Sequence, residues 1–229
     1  NIIEDWILRG AGDRDNRQQN DAIDGLGVLR NSSVGSSFIS IGGSLESSNI
    51  SQVIELYADM INKPLLDDSE FEFSRQLAID ELLSLEDDPR HKVMLKLREH
   101  FYPDPLGRST LGEMEDLKLL TSEKTKHIVR EKFNPSGIVF SIAGKYNFES
   151  ICEQMESLFA KNRKKTSLDE MAIKENIGKY THIQNNGSQV HIGLMTKSVR
   201  PMDEGYYDTR VAVSLLSGGM SARLFTEVR

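Results

Sequence analysis

Between Asn49 and Asn62 the apolar residues Ile50, Val53, Ile54, Tyr57, Ala58 and Ile61 recur at spacings of three and four, and Lys63-Pro64 closes the segment. That spacing draws one apolar stripe along a helix, and such a helix is stable in water only when another layer covers the stripe. The chain must therefore build a layered domain around it. A second constraint is the run Gly137-Ile138-Val139-Phe140-Ser141-Ile142-Ala143-Gly144, apolar and bounded by turn residues, which is expected as a buried strand. Strands and helices mix along the chain without regular alternation. This predicts an α+β domain, a mixed and mostly antiparallel sheet packed against helices, over a doubly wound one.

The remaining elements follow the same logic. Asn1 to Gly10 is a short helix with Ile3, Trp6 and Ile7 toward a core, and Gly10 and Gly12 stop it. Asn16 to Leu26 carries a modest stripe. From Val28 to Leu45 the Ser- and Gly-rich texture, with alternation at Phe38-Ile39-Ser40-Ile41, predicts two strands around a turn near Gly35. Asp67 with Glu70 three residues on resembles a capping box and opens a helix to about Glu86. Helices are expected over His91 to Tyr102, from a Ser122 cap to Phe133, and over Asn147 to Phe159 with Ile151, Met155, Leu158 and Phe159 inward. The charged stretch Lys161 to Gly178 has little apolar periodicity. It divides a first domain, residues 1–165, from a linker at 166–180 and the start of a second domain at 181–229, which offers a strand at Gln189 to Met195 and a helix at Tyr206 to Leu216.

Composition excludes several classes of function. A net charge of −7 over 229 residues leaves no cationic surface for nucleic acid, and the one dense basic run is Lys161 to Lys165. The single cysteine, Cys152, supplies neither a disulfide framework nor a cysteine-rich metal site. No run approaches the length of a membrane span. The first and last residues both fall inside helix-like patterns, so the sequence is expected to be a piece of a longer protein that lacks the strands preceding Asn1.

Two carboxylate positions stand out. Glu4 and Asp5 are adjacent on the first helix and share a side with Asn1. Glu81 has Leu77, Ala78 and Leu85 one turn away, which puts a charge on an apolar stripe. It is either a buried carboxylate needing a cation or donors, or a stripe-margin residue whose head reaches solvent.

The order of these features resembles the pitrilysin/insulinase family of zinc metallopeptidases, peptidase M16, which includes the mitochondrial processing peptidases. The residues that carry the resemblance are the carboxylate-bearing first helix, the Ser-rich hairpin, Arg75-Gln76-Leu77-Ala78-Ile79-Asp80-Glu81, Glu86-Asp87-Asp88-Pro89, Pro105-Leu106-Gly107-Arg108 leading to Gly112, Phe133-Asn134-Pro135, and Ser217-Gly218-Gly219-Met220-Ser221-Ala222-Arg223-Leu224. They cover essentially the whole chain in family order. In active members a His-x-x-Glu-His helix and a distant Glu hold zinc, and the motif Glu is the general base on the metal-bound water. The resemblance implies that Glu4 is the general-base equivalent and Glu81 the third-ligand equivalent. Asn1 and Asp5 then replace both His, so no zinc is expected. An all-oxygen set of this kind would suit only a hard cation. It further implies a substrate-docking edge strand at Asn31, Ser32, Ser33 and Val34.

The resulting expectation is a catalytically inactive M16 homologue without cofactor, serving as a structural or peptide-binding subunit beside an active homologue, in a hetero- or homodimer. Two alternatives stay open. One is an active M16-type metalloendopeptidase with an unconventional or externally completed metal site, and the other is a pure assembly subunit like the respiratory-complex core proteins. The compartment is not specified by the sequence.

Overall fold

The computed structural model describes residues 1–133, 137–160, 180–184 and 188–228, and these divide into two compact units, Asn1–His191 and Ile192–Arg229. The linker expected at 166–180 lies outside the described residues except for Tyr180. The first unit contains α1 (Ile2–Ile7), α2 (Asn16–Gly25), β1 (Leu29–Val34), β2 (Ile39–Ser44), α3 (Ile50–Asn62), α4 (Asp68–Ser84), α5 (Pro89–Phe101), α6 (Met114–Leu119), α7 (Ser122–Lys132) and α8 (Phe148–Phe159). The second contains α9 (Tyr206–Ser217) and α10 (Arg223–Val228).

Two apolar clusters hold the first unit together. One joins α1, α4, α6 and α7 through Ile2, Trp6, Ile7, Phe71, Ala78, Leu117 and Val129, with Leu66 from the turn before α4. Trp6 is its centre. The indole is 1% exposed, meets the Phe71 ring edge-on at 4.8 Å, and donates its N–H to the Asp67 carbonyl at 2.8 Å. The second cluster joins α2 and α3 through Ala11, Ile23, Val28, Val53 and Met60, and α8 lies on α3, where Gln154 Nε2 donates to the Ser51 carbonyl at 2.8 Å.

Local chemistry sets the helix ends. Asp15 caps α2 in a full capping box with Gln18, Thr121 caps α7, and Asn147 caps α8. Asp67 caps α4 through the Ser69 amide, while Glu70 turns away from the expected box to bond Arg9 and Asn16. After α1 the chain needs a left-handed turn, and Gly10 at φ +128° supplies it; a Cβ there would stand 2.9 Å from the Arg14 carbonyl oxygen.

β1 and β2 pair antiparallel, with Asn31 opposite Gly42 and Ser33 opposite Ser40, and Gly35 lies in the turn between them. They form the one sheet among the described residues. The apolar run after Gly137 forms no ladder: Val139 is 88% exposed. Residues 189–195 likewise carry no strand, with Val190, Ile192 and Leu194 all exposed. Apolar sequence favours extended backbone, but a strand exists only where its N–H and C=O groups meet a neighbour, and β1–β2 does not reach either run.

Trp6→Ala is expected to cost about 3–5 kcal/mol and Trp6→Phe, which loses only the bond to the Asp67 carbonyl, about 1–2 kcal/mol, read by urea unfolding. Acid sensitivity is the second expectation. Hydrogen bonds from Lys126 and then Ser122 hold the Asp68 carboxyl below its usual range. A carboxyl whose native pKa is depressed stabilises the fold above its unfolded-state pKa of about 3.9, and that contribution disappears as pH falls through the lower native value. The difference in thermal midpoint between the native sequence and Asp68→Asn should therefore shrink between neutral pH and strongly acid solution.

Candidate functional site

A cleft of about 470 Å³ opens where α1, β1, α4 and the start of α5 meet. Asn1, Glu4 and Asp5 come to it from α1, Ser32, Ser33 and Val34 from β1, and Ser74, Leu77, Ala78 and Glu81 from α4. Of the residues singled out in the sequence, seven thus share one cavity. Asn31 does not line it; its side chain lies against Gly42 across the hairpin.

Each carboxylate has a different environment. Asp5 is held by Arg9, whose Nε donates to Oδ2 at 2.7 Å and whose Nη2 donates to Oδ1 at 3.4 Å. Arg9 Nη1 donates to Glu70 Oε2 at 3.0 Å, and Asn16 Nδ2 donates to the same oxygen at 3.0 Å, so one guanidinium ties α1 to α4 and, through Glu70, to α2. Burial alone would lower the pKa of Arg9. The hydrogen bonds and charges of Asp5 and Glu70 outweigh that and hold it above its ordinary value.

Glu81 follows the buried face Phe71, Ser74 and Ala78 along α4, yet is itself exposed, because at that point the face opens into the cleft. The stripe-margin reading is therefore the one the structure takes. Its Oε2 accepts from Asn1 Nδ2 at 2.6 Å. Asn1 occupies the N-cap position of α1, but its side chain makes no capping bond. Glu4 makes no side-chain hydrogen bond or salt bridge with the described residues, and its charge faces the cleft beside the N-terminal turn of α1, where the helix dipole favours it.

Sequence reasoning missed the far wall. His91 and Leu95 from α5 and Thr110 and Leu111 from the following loop complete the lining. His91 had no ligand-type spacing to mark it, whereas Thr110 and Leu111 lie within the Leu106-to-Gly112 segment already matched to a family pattern. Among the described residues no three His, Cys, Asp or Glu side chains are arranged to hold a metal ion.

β1 supplies the other half of the geometry. Ser32, Ser33 and Val34 border the cavity while no β2 residue does, and β1 pairs on one side only among the described residues. Its outer N–H and C=O groups are thus available to an added strand, and its small side chains leave room for one. The cleft offers a backbone edge, two carboxylates unneutralised by any cation, Glu4 and Glu81, and an apolar patch at Val34, Leu77, Leu95 and Leu111.

Known proteins share this plan. A family model described as the peptidase M16 inactive domain matches residues 120–229. A zinc protease of Streptomyces coelicolor is 24% identical, with 99% of this chain and 51% of that protein covered. A probable mitochondrial-processing peptidase subunit beta of Arabidopsis thaliana is 24% identical over 70% of this chain and 30% of its own. The crystal structure of a peptidase M16 inactive domain from Pseudomonas fluorescens superposes with a TM-score of 0.78 at 15% identity, covering 100% of this chain and 57% of that one. Pitrilysin gives 0.60 at 17% identity, over 75% and 19%. The chain belongs to the peptidase M16 family. It spans about half the length of the curated zinc proteases it matches.

Arg9→Met is expected to destabilise by about 1–2 kcal/mol, because Asp5 and Glu70 are left without their shared cation. Arg108→Met, which removes only the exposed pair with Asp104, should leave chemical denaturation unchanged.

Proposed function

We propose that this chain is a catalytically silent M16 domain that binds extended, basic peptide segments in the α1–β1–α4 cleft and forms one wall of a peptidase chamber beside an active homologue. The observation that carries the reading is the placement of Glu4 and Glu81 directly beside the open edge of β1. Backbone pairing to an edge strand gives affinity for an extended chain without regard to sequence, and the two carboxylates favour Lys or Arg side chains along it. The apolar patch would take an apolar side chain from the same segment.

The residues present do not fit the zinc of active relatives. No imidazole stands at positions 1 or 5, the Asp5 oxygens are engaged by Arg9, and the Asn1 amide nitrogen faces Glu81 as a donor, not as a lone pair. Zinc in catalytic sites takes three nitrogen, sulfur or carboxylate ligands and leaves a fourth position for water. Glu4 without a metal-bound water has no acidified nucleophile to deprotonate, which is why the carboxylate expected as general base is assigned here to peptide binding. Residues 1–165 as the peptide-binding domain and 181–229 as the beginning of a second, homologous one belong to the same proposal.

Fluorescence titration of an extended peptide carrying several Arg should show saturable binding that weakens with salt, as expected for partly screened charges. Glu4→Gln and Glu81→Gln should each weaken binding about three- to tenfold, while a charge-neutral peptide of the same length is indifferent to both substitutions. Stoichiometric zinc in the purified protein, together with peptide hydrolysis abolished by Glu4→Gln, would replace this reading with the enzyme one. Absence of binding to any extended peptide would leave the assembly role.

A further inference from the structure

α1 runs antiparallel along α4, and polar clasps close both ends of the contact. Asn1 meets Glu81 at one end, Arg9 meets Glu70 at the other, and Trp6 packs on Phe71 between them. The first clasp is the informative one. An Asn at an N-cap normally folds back onto its own helix, whereas here the amide reaches a residue 80 positions away and joins the two helices where the cleft begins.

We infer that the α1–α4 junction is closed by these side chains alone, without a metal, and that it keeps the geometry of a zinc site closely enough for Asn1→His with Asp5→His to rebuild one, Glu81 being the third ligand. This rests on the reading of the cleft as the counterpart of the family's zinc centre. The distance carries it: two ligand atoms each 2.0–2.1 Å from a tetrahedral zinc are about 3.3 Å apart. Asn1 Nδ2 and Glu81 Oε2 are at 2.6 Å, so the side chains need only part by less than about 1 Å, and an imidazole has the length to accommodate that. Position 5 lies one turn along the same helix and lines the same cavity. Replacing Asp5 also leaves no stranded charge, because Arg9 retains Glu70.

Zinc titration and thermal unfolding of the full chain test both parts. The native sequence should bind no zinc stoichiometrically, and its unfolding midpoint should be unmoved by chelator or by zinc. The Asn1→His/Asp5→His variant should bind one zinc per chain, with its midpoint raised by about 5–10 °C when zinc exceeds its dissociation constant about a hundredfold. Adding Glu81→Gln should weaken that binding at least about tenfold. A native midpoint that falls with chelator would overturn the metal-free junction. A double variant that binds no zinc, or binds it equally with Glu81→Gln, would overturn the retained geometry. Should the double variant not fold, Asn1→His alone breaks no ion pair and forms a two-ligand site with Glu81; its weaker zinc binding must also vanish with Glu81→Gln, and its absence counts against the proposal in the same way. None of these readouts involves peptide, so their failure leaves the peptide-binding reading standing, and loss of peptide binding leaves them interpretable.

Discussion

The contact of Trp6 with Phe71 and the Asp67 carbonyl is what the cleft depends on. α1 is six residues long, far below the length at which a helix is stable by itself, so its place comes entirely from packing. Burying the indole against α4 fixes the rotation of α1, and that rotation decides that Asn1, Glu4 and Asp5 turn toward the cavity while Ile2 and Ile7 turn inward. Lys126 lies 5.9 Å over the same ring and bonds Asp68, which draws α7 onto the start of α4. Every polar feature of the site is thus downstream of one aromatic contact.

On that frame the charges are sorted by what surrounds them. Asp5 is neutralised by Arg9 and contributes to holding helices together, whereas Glu4 and Glu81 keep their charge toward the cavity. Three carboxylates around one cleft would repel if all were dry. Here one is paired with a cation, one is exposed with an amide donor, and one sits at a helix N-terminus, so no member is left buried and uncompensated. This arrangement suits a surface that attracts cationic side chains better than one that activates water.

Much of this was legible in the sequence, because helices announce themselves by local rules. The stripe from Ile50 to Ile61, the caps at Asp67 and Asn147 and the hairpin around Gly35 all appear within a residue or two of where spacing and turn chemistry put them. Glu81 was legible as to face and not as to environment: periodicity places it with Phe71, Ser74 and Ala78, but whether that face is covered at residue 81 depends on α5 and the hairpin, which lie elsewhere in the sequence. The runs after Gly137 and Gln189 show the same boundary from the other side. Their composition sets an extended backbone, and pairing, a property of two segments, is what a strand additionally requires. His91 entered the cleft without any motif because a wall contributed by the first turn of a neighbouring helix leaves no periodic signature.

The central claim is that the outer edge of β1, flanked by Glu4 and Glu81, is the surface that receives an extended chain. Amide hydrogen exchange with and without a saturating Arg-containing extended peptide measures it most directly. Slowed exchange at the outward-facing amides among Asn31 to Val34, lost when both Glu4 and Glu81 are changed to Gln, is the predicted result. Peptide binding with unchanged exchange along β1 would contradict the account.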